Sequence, residues 1–162
     1  MKHSKPKLSQ QKGFTLLEAM VAMVVFSVGL LGLGALQMAG MANNQSSLYQ
    51  SIAAHLAYDM SDRIRSNAAG KNSNFYDQLT GVPIVTLCNS NCSSKQIADT
   101  DHFRWGTDIR NMLPGGTGTV LGDGAEFTIT VMWDAARNGA AGTGCNPAVA
   151  TDLKCLRIFV RP

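Results

Sequence analysis

From Ala19 to Leu36 the chain runs through eighteen residues of which only Ser27 bears a polar side chain. At 1.5 Å of rise per residue this makes roughly 27 Å of helix, close to the hydrocarbon thickness of a bilayer. A helix apolar on every side belongs in lipid or among other helices, not on the surface of a soluble domain. Lys2, Lys5, Lys7 and Lys12 precede it, and the first thirteen residues contain no acid. By the positive-inside rule this basic leader stays cytoplasmic and the remainder faces outward. One charge intrudes: Glu18 stands just before the run, and no formally charged side chain follows until Asp59. A carboxylate at mid-bilayer costs about 2.5–3.5 kcal/mol. Near a helix start the cost is smaller, because the N-terminal dipole offsets part of it.

A cleaved secretory signal would have a shorter apolar region, about 7–15 residues, ending at an A-x-A-like site; Ala39 and Ala42 make only a weak one. A plain membrane anchor accounts for the length but leaves Glu18 as no more than a helix-start acid near the headgroups. The stretch KGFTLLE, residues 12–18, resembles the processing site of type IV pilins and of the related pseudopilins of secretion systems. The resemblance implies cleavage of the leader after Gly13 and N-methylation of the new terminus, Phe14, with Glu18 as the family's glutamate. Cleavage creates an ammonium at Phe14, one helical turn from Glu18. When subunits pack helix against helix, the carboxylate of one can meet the ammonium of another. Such a buried pair contributes little net stability but penalises wrong axial register strongly.

The expected organisation is a leader at 1–13, removed; a transmembrane or filament-core half of the first helix at 14–42; and an exported globular domain at 43–162. The helix itself reads from residue 14 to about 67. Gly29, Gly32 and Gly34 permit close helix approach and weaken it locally, with no proline to break it. In its second half Leu48, Ile52, Leu56, Met60 and Ile64 recur every four residues, with Tyr49, Ala53 and Ala57 beside them, a stripe that packs on the protein's own sheet. Asn67 to Gly70 supplies the stop. Residues 70–100, rich in Asn, Ser and Gly, read as surface loop with at most short structured pieces. A second helix is expected over HFRWGTDIRNML, where Trp105, Ile109, Met112 and Leu113 fall at helical spacing before Pro114. Phe127, Ile129, Val131 and Trp133 alternate with Glu126, Thr128, Thr130 and Met132, a strand with one buried face. Thr117–Leu121 is its expected hairpin partner, and Leu156, Ile158 and Val160 mark a last strand. The sum is an α+β, pilin-like fold: a long N-terminal helix, apolar in one half and amphipathic in the other, packed on a small antiparallel β-sheet.

Four cysteines allow three pairings, among which sequence alone does not choose. Cys88–Cys92 and Cys145–Cys155 are the expected disulfides, the second stapling loop 135–154 to the last strand. Export favours disulfides over metal, and the C-x3-C and C-x9-C spacings are not those of common zinc sites. No metal site, cofactor or catalytic residue is expected: there is no G-x-S-x-G, H-E-x-x-H or P-loop, and GGTGTVLGDG follows a helix with the wrong glycine spacing. His55 reads as a helix-surface residue, and Asp101 and His102 lack a neighbouring nucleophile. Beyond the leader ten Lys and Arg face eleven Asp and Glu, which gives no nucleic-acid-binding surface.

Within the pilin family, residues 103–162 resemble the PilV kind of minor pilin, in LPGG, a threonine-rich strand ending in Trp-Asp, and a late cysteine strand ending in Arg-Pro. The resemblance implies a structural subunit, not an enzyme, that helps start type IV pilus assembly or sets fibre surface properties such as adhesion or motility. It implies as partners a prepilin peptidase/methyltransferase, other major and minor pilins met through the first helix, inner-membrane assembly machinery, and membrane lipid before assembly. The precursor would be a single-pass bacterial inner-membrane protein, and the mature subunit would lie in the pilus at the cell surface. A type II secretion pseudopilin shares the same processing. A membrane-tethered exported adhesin, with ligand contacts in 70–100 and 135–154, is the reading from a different class.

Overall fold

A computed structural model describes residues 15–84, 87–123 and 125–162. Helix α1, Leu16–Ser66, runs without a break past Gly29, Gly32 and Gly34. The chain divides into two compact units between Asn43 and Asn44. In the first unit no described side chain is buried: the large apolar residues from Leu16 to Met41 are all exposed. Ser27 Oγ donates to the Met23 carbonyl at 2.7 Å, so the one polar side chain of the apolar run is satisfied within its own helix.

In the second unit α1 buries Tyr49, Ala53, Leu56, Ala57, Met60 and Ile64. Leu48, expected in this stripe, is 57% exposed. A strict four-residue repeat advances about 40° per step around a helix of 3.6 residues per turn, so a stripe centred on Leu56 and Met60 has rotated away from Leu48. Tyr49 takes the buried place. The helix covers a four-stranded antiparallel sheet of β1 (Gln78–Thr80), β2 (Thr117–Gly122), β3 (Phe127–Trp133) and β4 (Lys154–Val160), in the order β1-β2-β3-β4. Register pairs Thr119 with Thr130 across β2–β3 and Ile129 with Ile158 across β3–β4. Phe127, Ile129, Val131 and Trp133 join the helix stripe in one core, each such buried side chain contributing about 1.5–3 kcal/mol.

Residues 70–100 correct the loop expectation. They contain the end of α2 (Ala68–Asn72), all of β1, and the start of α3 (Ser94–Met112). Asn67 ends α1 but restarts the chain, its Oδ1 accepting from the Gly70 amide at 3.1 Å. Helix α3 begins eight residues before His102 because Ser93 and Gln96 form a reciprocal capping box. Trp105, Ile109 and Leu113 are buried as expected, whereas Met112 is 52% exposed. Trp105 Nε1 donates to the Leu56 carbonyl at 2.8 Å, fixing α3 to α1. Gly118 of β2 is where α3 meets the sheet: a Cβ there would stand 2.5 Å from the Trp105 ring and 2.7 Å from Ile109 Cδ1.

Strand β3 departs from the one-sided expectation. Thr130 and Met132, on its outward face, are also buried. Thr143 and Cys145 line a groove with them, so loop 135–153 covers this end of the sheet. On β4, Phe159 is 77% exposed and Leu156, Ile158 and Val160 are half-buried, as befits an edge strand.

Candidate functional site

Gly13 and Phe14 lie outside the described residues; Thr15 and Glu18 lie within them. Thr15 precedes the first helical residue, and its Oγ1 accepts from the Glu18 amide at 3.3 Å. Its carbonyl accepts from the Glu18 and Ala19 amides at 3.1 and 3.2 Å. Thr15 therefore caps α1, ending the helix one residue after Phe14 in sequence. Sequence reasoning passed over this role, although the T-x-x-E spacing of residues 15–18 signals it. Glu18 is exposed in the first turn, where the helix dipole favours a carboxylate. The most apolar eighteen-residue window of α1 has a mean hydropathy of 2.3, long and apolar enough to cross a membrane.

In the second unit two disulfides join Cys88 to Cys92 and Cys145 to Cys155. No group of three or more metal-ligating side chains occurs among the described residues. Asp101 and His102 do not form a catalytic pair. Asp101 accepts from Tyr76 Oη at 2.7 Å and from Arg63 Nη1 at 3.4 Å, while His102 Nε2 lies 3.0 Å from the Gly81 carbonyl. Burial, reinforced by the bond to Asp101, pushes the Tyr76 hydroxyl above its ordinary range. Burial alone would lower Arg63, but its bond to Asp59 at 2.7 Å and the charge of Asp101 raise it. Burial lowers His102, which the backbone contact to Gly81 only partly offsets. These groups tie α1, α3 and the segment before β1 together, and His55 is exposed.

Loop 135–153 is organised by two acids. Burial pushes Asp134 up, but the Gly139 and Asn138 amides, at 2.8 and 3.3 Å, more than offset this and hold its carboxyl below the usual range. Asp152 accepts from the Asn146 amide at 3.0 Å. Arg137, with φ of 53°, donates to Tyr49 Oη at 2.6 Å, and Lys154 donates to Ser46 Oγ at 3.2 Å.

A capped apolar helix continuing into a helix packed on a four-stranded antiparallel sheet defines an α+β, pilin-like architecture. Residues 8–34 match the family model for the prokaryotic N-terminal methylation motif. That match supports a structural subunit of the pilin or pseudopilin type, processed by a prepilin peptidase and held in the membrane as a precursor. No curated protein and no solved structure matches the chain.

Proposed function

We propose that the chain is a minor pilin of the PilV kind, a structural subunit that enters a type IV pilus through α1 and helps to start or modify the fibre. The observation that carries this reading is the order Gly13-Phe14-Thr15-Leu16-Leu17-Glu18 ahead of a long apolar helix, inside the segment that matches the methylation motif. A prepilin peptidase/methyltransferase cuts between Gly13 and Phe14 and methylates the Phe14 amine. Residues 14–42 then hold the subunit in the inner membrane, with 43–162 on the periplasmic side. Inner-membrane machinery extracts it, and burial of the exposed apolar side chains of Leu16 to Met41 against other pilins replaces lipid contact. The Phe14 ammonium and the Glu18 carboxylate of a neighbour set the register.

The test is the intact mass of the protein purified from membranes. The expected species lacks residues 1–13 and carries the mass of one extra methyl group. A leader still attached, or a new start in the forties, refutes the processing reading. Recovery of the processed chain in sheared pili, and not with a secretion apparatus, separates pilin from pseudopilin.

A further inference from the structure

We propose that the outward face of the sheet binds an acidic saccharide, one whose sugar rings carry a carboxylate. Strand register lays two parallel rungs across this face. Thr119, Thr130 and Arg157 are neighbours along β2, β3 and β4, and so are Leu121, Thr128 and Phe159. All six line one groove of about 410 Å³, within the size range of small-ligand sites. With strands about 4.8 Å apart and about 3.4 Å of rise per residue, each rung spans roughly 10 Å and the two lie roughly 7 Å apart. One rung carries two hydroxyls and ends in a guanidinium. The other sets a hydroxyl between two apolar side chains, Leu121 at 53% and Phe159 at 77% exposure.

A sugar ring has the matching asymmetry, with hydroxyls at its edge and a C–H face that packs on an aromatic ring. A threonine hydroxyl both donates and accepts, so it serves a sugar hydroxyl in either sense. The sign of the charge is set as well, because no acid lines the groove. Arg157 Nε donates to Thr130 Oγ1 at 3.3 Å, which lays the side chain along its rung, and no ion pair joins it to an acid among the described residues. Glu126, the acid that precedes β3, is bonded to Arg161 instead. The fork of Arg157 is therefore left for a planar anion, and a carboxylate is the anion it grips bidentately. An acidic peptide gains less here: the backbone under the groove is spent in the β2–β3 and β3–β4 ladders, so no strand can be added on this face. A small inorganic anion leaves Leu121 and Phe159 uncovered.

The site lies wholly in the second unit and holds whether the chain serves a pilus or a secretion apparatus. The test is threonine-methyl NMR of the full chain in a sugar-free non-ionic detergent, titrated with a galacturonic acid trimer and with the galactose trimer of the same linkage. Both should shift Thr119, Thr128 and Thr130, and the acid should bind on the order of tenfold tighter, the worth of one charged hydrogen-bonded pair in an exposed groove. Arg157→Gln should bring the acid down to the affinity of the neutral trimer, and Phe159→Ala should weaken both alike. Both side chains are exposed; if a variant still loses its folded spectrum, the comparison of the two trimers on the unaltered chain decides. Equal affinity for the two trimers overturns the inference, as do a preference that survives Arg157→Gln and the absence of shifts at these threonines up to about 10 mM acid. A glutamate peptide that moves the same methyls as strongly reveals a site for charge without sugar recognition and overturns it too. So do the same shifts on raising protein concentration alone, which mark a second copy in the groove.

Discussion

Replacing both Cys145 and Cys155 by alanine tests how far the second unit depends on its larger staple. The bond spans a sequence separation of 10. Chain-entropy closure of such a loop removes roughly 9 cal/mol/K from the unfolded ensemble, about 2.7 kcal/mol at 25 °C. Part of this is offset in the native state. Cys145 is held at φ of 56°, a conformation costing a non-glycine residue about 1–2 kcal/mol, and that cost can relax once the bond is gone. The net loss should lie at about 0.7–2.7 kcal/mol, or a drop in Tm of roughly 2–11 °C for a unit of this size. The measurement is thermal and guanidinium unfolding of the full chain in detergent, followed by near-ultraviolet dichroism. Trp133 is a local reporter because it pairs in register with Lys154, next to Cys155. The smaller Cys88–Cys92 loop, with separation 4, should cost about 1.9 kcal/mol on the same scale. A reductant should therefore shift the unaltered protein more than the Cys145→Ala/Cys155→Ala variant. A loss below about 0.5 kcal/mol, or an equal reductant shift in both proteins, refutes the view that this bond constrains the unfolded chain.

Gly118→Ala should destabilise the same unit by about 1–3 kcal/mol, because the added methyl meets the rigid, fully buried Trp105 ring; unchanged unfolding would show that α3 is not pressed onto β2 there. His102 gives a pH dependence of definite sign. Its folded pKa lies below the ordinary imidazole value through burial, so the unfolded chain binds more protons at mildly acidic pH. Stability is then full above the unfolded pKa and declines as pH falls toward the folded one. His102→Gln, which retains a donor for the Gly81 carbonyl, should flatten the stability profile between pH 7 and 5; a profile as steep as the parent's would locate the acid sensitivity elsewhere.

What the sequence disclosed depended on whether a residue's fate was decided locally. Trp105, Ile109 and Leu113, or the alternation from Phe127 to Trp133, carry their burial in their spacing, because one face of a regular element meets one core. Helix α3's start is equally local but polar: Ser93 and Gln96 fix it by capping, ahead of the apolar periodicity that begins at Trp105. Asn67 looked like a stop because it is a poor helix interior residue, yet its side chain caps the next turn and donates to the Ser94 carbonyl at 2.7 Å. Thr130 and Met132 could not be read at all from β3, since they are covered by a loop held in place through Cys155. The cations on Ser46 and Tyr49 are likewise products of tertiary folding, separated from their partners by 108 and 88 residues.

The same distinction bears on Glu18, which has two physical roles open to it. With Thr15 capping the helix, a residue at this position can serve a capping box, a local role worth about 1 kcal/mol that glutamine fills as well as glutamate. The assembly role is different, because only a charged carboxylate compensates an ammonium taken out of water. Leaving that ammonium unpaired in a filament core costs about 3–5 kcal/mol, which corresponds to a factor of roughly 10² to nearly 10⁴ in incorporation. Glu18→Gln therefore separates the roles where Glu18→Ala removes both. If the pair operates, Glu18→Gln leaves helix content in the membrane unchanged while reducing recovery in fibres nearly as far as Glu18→Ala. If Glu18→Gln enters fibres normally and Glu18→Ala does not, the glutamate is a cap, and register must be set by the apolar side chains from Leu16 onward. The comparison is made by quantitative mass spectrometry of sheared fibres against the membrane pool. It does not depend on knowing which subunits surround this one, because the proposed processing would generate the same ammonium on every chain that enters a fibre.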